Sequence, residues 1–558
     1  MRRTLAIIAM VVMMVSMIGV AAMAYEKTGP RVDEIIMPII KEQQARLIAF
    51  ERGDSVVIPG LTAAADIAKV KGLSNAAVNM NYGYHMFYMC FNMRKDPFNA
   101  QVVRQAVAHI VDRDNIIRTL FAGNMLPLSS FVPQASPFYK SDVPVYPYNP
   151  TKAKQILDAA GYVVGKDGKR IDPTTGKTMR EVKFYTPTYE VAATSAEIGR
   201  IIVEAMNAIG IPAKHEPMDF NVMLDKLDVS DFDMFALAWS LSRNPDFLYD
   251  FFHSSQDVEA GYNRPGTRDA QLDKALEKLY APVDLKTAKA AADASQLILA
   301  RLMPYVPLYS RPYIDGFRKD IVKGWVPMNG FGAANYNNIW TTLNIERVAG
   351  TGGTIRWLLS EEPKNLNPVT ASQAYEWEVL GRVAPMGGLR QIDPVTGADI
   401  PWMAKSWEIG QWQVSPGQFG TLITWHLRDD IKWSDGVPFT SADVKFTLEY
   451  LRDNKAPRYL SATQSIVKVE TPDKYTAKVY FSNLSYWNID NADYCGLPAH
   501  IWKDVKDYKA FEPWKEAHPT VAGMTKLVGL GPFVLKEYKV GEYVRMIKNV
   551  NYFALPTK

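Results

Sequence analysis

The stretch "HLRDDIKWSDGVPFTSADVKFTLEYL", residues 426–451, decides the fold class. Together with the residues before it, "TLITWHLRDDIKW" alternates apolar and polar side chains as a half-buried strand does. Asp435-Gly436 is a tight-turn pair. Thr440 and Ser441 then offer side-chain oxygens to the free N–H groups of a helix start, with Asp443 in the first turn and apolar spacing through Leu451. A strand that feeds a helix through one tight turn predicts mixed α/β structure.

The same alternation recurs along the chain. "DEIIMPII" and "YHMFYMCFNM" read as strands, and "REVKFYTP" and "DFDMFALAW" do likewise. "NPTKAKQILDAAGY" reads as a helix capped by Asn149, with Pro150 in its first turn and Gly161 at its stop. "SAEIGRIIVEAMNAIG" reads as a second helix, closed by Gly210. "ERVAGTGGTIRW", from Glu346 to Trp357, breaks the pattern with Gly350, Gly352 and Gly353 and reads as a linker.

At 558 residues the chain is too long for one core and predicts two to four domains. Its 63 basic and 59 acidic residues nearly balance and form no basic block, which excludes a nucleic-acid partner on charge grounds. The 28 Tyr and 13 Trp suit a cleft that wraps an amphipathic ligand. Arg2-Arg3, an apolar run from Leu5 to Val20 and Ala22-Met-Ala24 have the layout of a secretory signal peptide over 1–24. The alternative is an uncleaved anchor, since the apolar run approaches the ~20 residues of a spanning helix. An exported protein, periplasmic or on the outer face of the membrane, is expected. Cys90 and Cys495 are the only cysteines, and a bridge and two free thiols both remain open.

Motifs of catalysis are missing. Gly176-Lys177-Thr178 lacks the glycine a phosphate loop needs five residues earlier, where Ile171 stands, so "DPTTGKT" reads as a turn. The seven His form no HExxH and no Cys/His cluster, and no GxSxG elbow occurs. No catalytic residue, metal site or cofactor is assigned, and the chain is not expected to be an enzyme; a secreted hydrolase is the alternative, since two carboxylates spaced for glycoside hydrolysis can come from anywhere in a sequence.

Several stretches together are similar to the peptide-binding class of extracellular solute-binding proteins of ABC transporters, the dipeptide- and oligopeptide-binding proteins. They are "PWMAKSWEI" followed by the 426–451 motif, "VGLGPFVLKEYKVGEYVRMIKNVNYF", "FNMRKDPFNAQVVRQAVAHIVDRDNI", "YPYNPTKAKQILDAAGY" and "RLMPYVPLYSRP". The order departs from the family: the segment ending "NYF" precedes "DEIIMPII" in family members, whereas here it follows it by some five hundred residues. The two halves thus resemble a circular permutation, with fused truncated tandem copies as the alternative origin. Termini that lie close together make such an exchange physically permissible.

The resemblance implies a bilobal, periplasmic-binding-protein-like α/β clamshell of three domains. Domain I would comprise 25–60, 331–347, 354–385 and 486–558; domain II 386–485; domain III 61–330; with 348–353 the Gly-rich linker. It implies a peptide ligand, delivery to an ABC permease and through it to ATPase subunits, and a monomer, with a swapped dimer as the alternative. An oligosaccharide is the second ligand class, because Ser242 stands where oligopeptide-binding members carry the Asp that holds the ligand's amino group. Trp239 matches that motif's tryptophan, Ser240 and Ser242 would offer hydroxyls, and Asp246 either relocates the anchor or caps the "FLYDFF" helix. Ser372, Gln373 and Ala374 would edge the cleft and pair with an extended peptide as an added strand does. Tyr459 would be an aromatic lid or a loop-packing residue, and Tyr82 and Tyr84 would face the cleft or the core.

Overall fold

A computed structural model of the protein describes residues 25–556. The expected signal peptide, residues 1–24, lies outside them. Among the described residues, no helix is long and apolar enough to cross a membrane.

One four-stranded sheet joins sequence extremes, in the order Thr354–Arg356, Glu34–Pro38, Tyr543–Lys548, Phe533–Lys539. "DEIIMPII" supplies its second strand, with Ile35 opposite Ile355 in parallel and opposite Met546 in antiparallel register. Ile35 and Met37 are fully buried while Glu34 and Ile36 are half-buried, the alternation that a sheet covered on one face selects. Asp33 ties the three segments together. Its carboxylate accepts from the backbone N–H of Gly353 at 2.7 Å and pairs with Lys548 at 2.7 Å.

The glycine run at 350–353 differs from the expected loose linker. Gly350 N donates to Arg347 O at 3.0 Å and Gly352 N to Arg31 O at 2.6 Å, so the segment is a hydrogen-bonded turn. Gly352 and Gly353 have φ of 88° and 74°, which L side chains rarely adopt, and a Cβ on Gly352 would meet Asp33 Oδ2 at 2.7 Å. These glycines serve tightness.

A six-stranded sheet holds most strands of the 61–330 region, in the order Leu126–Pro127, Tyr305–Ser310, His85–Phe91, Met234–Ser240, Val182–Pro187, Ala213–Met218. The central strand His85–Phe91 is antiparallel to both neighbours and is buried from Met86 onward, as a strand covered on both faces must be. Cys90 lies in it; Cys90 and Cys495 are both buried and free, which settles the open pairing. A smaller sheet, Val57–Ile58 with Tyr313–Arg318 and Ala76–Asn81, has its own cluster around Phe50, Ile58 and Ile67.

The 426–451 motif belongs to a four-stranded antiparallel sheet, Ala404–Ser415, Gln418–Leu427, Thr476–Phe481, Ile466–Asp473. Its helix is Ser441–Asp453 with Thr440 at the N-cap, where a reciprocal capping box with Asp443 satisfies the end N–H groups. Ser434 binds this motif to the C-terminal "VGLGPF": Ser434 N donates to Gly529 O at 3.0 Å, and Gly529 N donates to Ser434 Oγ at 3.2 Å. The described residues thus form mixed α/β structure, as the strand, turn and helix of 426–451 predict.

Candidate functional site

A cavity of about 760 Å³ opens where these sheets meet. One wall is the turn Ser242–Arg243–Asn244, which follows the Met234–Ser240 strand. The facing walls carry Trp377 and Gly381 from the helix Ala374–Val383, the segment around Arg390, Trp402, the pair Arg458–Tyr459, and Asp490 to Tyr494.

The turn reaches across the cavity. Ser242 Oγ donates to Asn244 O at 2.6 Å and tightens it. The Arg243 guanidinium donates to Gly397 O at 2.6 Å and pairs with Asp399 at 3.2 Å, and Asn244 Nδ2 donates to Asp490 Oδ2 at 2.5 Å. Arg390, almost fully buried, pairs with both Asp399 and Asp490, and its backbone N–H donates to Asp493 Oδ1 at 3.2 Å. Burial pushes the Asp493 carboxyl up to about 7, against the pull of Arg390. Two guanidinium groups and three carboxylates thus form one partly desolvated network between parts of the chain a hundred or more residues apart.

The expected site residues are distributed unevenly. Ser242 and Tyr459 line the cavity. Trp239 stacks between Phe251, with ring centroids 4.5 Å apart, and Tyr88, at 6.2 Å; it packs behind the wall. Ser240 is exposed, opposite His85 at the strand end. Asp246 does precede the helix Phe247–Phe252, yet its side chain makes no cap hydrogen bond, which corrects the capping alternative. Burial, with Asp490 and Asp250 nearby, pushes Asp246 up to about 6, and it is not on the cavity wall. Tyr84 is buried edge-on against Phe331, and Tyr82 accepts from Gly330 N at 2.7 Å through its carbonyl.

Ser372, Gln373 and Ala374 are exposed at the start of their helix. The N–H groups of Ser372 and Gln373 donate to the Glu376 carboxylate at 2.9 and 3.0 Å, so they are already committed to the helix start rather than to a ligand backbone. The same helix instead sends Trp377 and, one turn on, Gly381 to the wall. That spacing was readable in "AYEWEVLGRV".

Tyr459 is 3 % exposed and its hydroxyl donates to Pro368 O at 2.7 Å, which anchors the Arg458–Tyr459 pair to a distant loop. Tyr459→Phe should cost about 1–2 kcal/mol in urea unfolding, because a buried carbonyl loses its donor, while the ring contribution to the wall is retained. An unchanged midpoint would show that the hydroxyl is immaterial.

Among the described residues, Asp435, His500 and His518 bring their polar atoms within 4.8 Å of one another. His518 Nδ1 accepts N–H groups of Val521 at 2.9 Å and Thr520 at 3.2 Å, which places the ring proton on Nε2, where it faces Asp435 Oδ2 at 3.1 Å. A metal would need the lone pair at that nitrogen, so the trio reads as a carboxylate holding two imidazoles, His500 at 2.6 Å. Burial raises the Asp435 carboxyl, but the bonds from His500 and from the backbone N–H of Val437 outweigh it and hold it below the usual range. A depressed folded value stabilises above the unfolded value of about 4 and is lost as pH falls through the folded one. Asp435→Asn should therefore cost about 2 kcal/mol at pH 7 and progressively less below pH 4, measured by urea unfolding across pH.

The profile described as "Bacterial extracellular solute-binding proteins, family 5 Middle" matches residues 15–259 and 400–558. The chain belongs to that family of solute-binding proteins. It is 25% identical to the oligopeptide-binding protein AppA of Bacillus subtilis over 51% of this chain and 52% of that protein. It is 22% identical to the dipeptide-binding protein of Escherichia coli, over 56% of each chain. The chain spans about half the length of the curated relatives it matches. Among solved structures, AppA of Bacillus subtilis in complex with a nonapeptide aligns at 25% identity over 51% of this chain and 56% of that one, with a TM-score of 0.41. HbpA2 of Haemophilus parasuis aligns at 21% identity over 55% and 56%, with a TM-score of 0.47.

Proposed function

We propose that the protein is the extracellular solute-binding component of an ABC importer that holds short peptides in the cavity and delivers them to a membrane permease and its ATPase subunits. Its work is capture and release, without turnover. The observation that carries this reading is the cavity of about 760 Å³, which combines the indole walls Trp377 and Trp402 with charged groups of both signs. That volume is in the range of small-ligand sites and matches short peptides better than long ones. Peptides also match in chemistry: they bring charged ends, amides and apolar side chains to one site. The relatives named for oligopeptides and dipeptides point the same way. The oligosaccharide reading drew on Ser242 in place of the amine-binding Asp, with Trp239 as a platform beside Ser240 and Ser242; that ring already stacks on Phe251, and the Ser242 hydroxyl already donates to Asn244 O.

We read the chain order as an exchange of the family's halves within one monomer. The pairing of Glu34–Pro38 with Tyr543–Lys548 supports it, and the two stretches matched by the family, 15–259 and 400–558, leave the glycine turn between them unmatched.

The test is intrinsic tryptophan fluorescence titrated with di- to pentapeptides and, separately, with oligosaccharides. Saturable change with peptides, and intact peptide recovered after long incubation, is expected. A response to oligosaccharides alone, or to neither class, would overturn the reading.

A further inference from the structure

Three arginines line the cavity, and they are not equivalent. Arg243 pairs with Asp399, and Arg390 pairs with Asp399 and Asp490, so both are spent on holding the walls together. Arg458 has no acidic oxygen within 4.0 Å among the described residues. Its guanidinium lies over the ring of Trp377, 4.7 Å from the centroid, and Trp377 is 6 % exposed, so the platform beneath it is fixed. The backbone is fixed too. Arg458 is in the single turn Pro457–Tyr459, whose last residue is anchored to Pro368.

We propose that Arg458 is the cleft's anchor for a carboxylate of the ligand, a role that rests on the peptide reading above and narrows it to peptides presenting a free acid. A guanidinium that lies over an indole and pairs with no carboxylate keeps N–H groups for a ligand, and its fork of donors matches the two oxygens of a carboxylate. Trp377 takes up the cation's face without neutralising it, so the charge is held in place and left for an incoming anion. Were the walls to close with no anion present, the guanidinium would lose water without a partner, which is costly. A carboxylate on the ligand removes that penalty and so favours the loaded, closed state.

Carboxylates reach a peptide from its C-terminus or from an acidic side chain, and the experiment separates them. The wild type, Arg458→Gln and Arg458→Lys are titrated calorimetrically with Ala-Ala-Ala, with its C-terminal amide, and with the amide of Ala-Glu-Ala. Arg458 is exposed, so the variants should unfold at the wild-type midpoint, which is checked first. Amidation of Ala-Ala-Ala is expected to weaken wild-type binding by roughly 10- to 100-fold, the range of a charge-assisted hydrogen-bonded pair. Arg458→Gln should lose a similar factor for the free acid and become nearly indifferent to amidation, with Arg458→Lys intermediate. Rescue by the glutamate-bearing amide would assign the side chain as the source; no rescue would assign the C-terminus. Equal wild-type affinity for acid and amide, or an Arg458→Gln variant that still discriminates them, would overturn the proposal. If the wild type binds none of these peptides, the peptide reading fails separately. The carboxylate assignment is then decided by thermal shift with succinate: stabilisation of the wild type but not of Arg458→Gln upholds it, and no stabilisation sinks it.

Discussion

Ile35→Asp is expected to remove most of the protein's stability. Ile35 is fully buried at the centre of the sheet that joins residues 34–38, 354–356 and 543–548. The substitution loses an apolar contact worth about 2–5 kcal/mol. It also places an unpaired carboxylate where Ile355 and Met546 flank it in the neighbouring strands, at a cost of several kcal/mol more. Against a total of about 5–15 kcal/mol for a folded domain, that is enough to unfold the sheet. Ile35→Val should cost only about 1 kcal/mol, which separates a packing defect from general sensitivity at this site. The ion pairs at the sheet surface cannot compensate: Lys548 with Asp33 is exposed and of the kind worth under about 1 kcal/mol. Urea unfolding followed by tryptophan fluorescence and circular dichroism measures this. A midpoint near that of the wild type would mean that the two distant ribbons do not depend on each other.

Much of this architecture is legible in the sequence because it is local. Asn149 caps its helix by accepting from Lys152 N, as "NPTKAK" implies, and Gly161 and Gly210 stop helices with φ of 87° and 86°. The strand, turn and helix of 426–451 follow from alternation and the Thr440–Asp443 capping box. The partner of "DEIIMPII" came from motif order, since no local signal says which strand lies beside it. The site is a different matter. Asp490 meets Asn244 across 246 residues, and Arg390 meets Asp490 across 100. Such contacts leave no periodic trace, and Arg or Asp in a loop reads as solvated surface until burial is known. Trp239 shows the converse: a motif tryptophan stood out by type, but only the packing of Phe251 and Tyr88 reveals that both faces are occupied.

The charged network between the walls should make Arg390→Met strongly pH-dependent in stability. Methionine retains much of the side-chain volume and the backbone N–H that bonds Asp493, and removes the guanidinium that pairs with Asp399 and Asp490 and attracts the Asp493 carboxylate through space. Arg243 can still serve Asp399, and Asn244 can still serve Asp490, but the cluster keeps three carboxylates and one cation. Leaving buried charge without its partner costs about 3–5 kcal/mol when the carboxylates are ionised. In the wild type the Asp493 carboxyl is pushed up to about 7, above an unfolded value of about 4. The folded state therefore binds more protons over that interval, and stability falls as pH rises from about 4 to 7, then levels off. Removing Arg390 withdraws the attraction that opposes this rise, so the decline in the variant should be steeper and continue above pH 7. The difference between variant and wild type, measured by urea unfolding, should then be largest at pH 8 and shrink to roughly half or less at pH 5, where protonation relieves the unpaired charge. A difference of the same size at both pH values would mean that Arg390 contributes through packing alone, and that the three carboxylates are solvated well enough to need no cation.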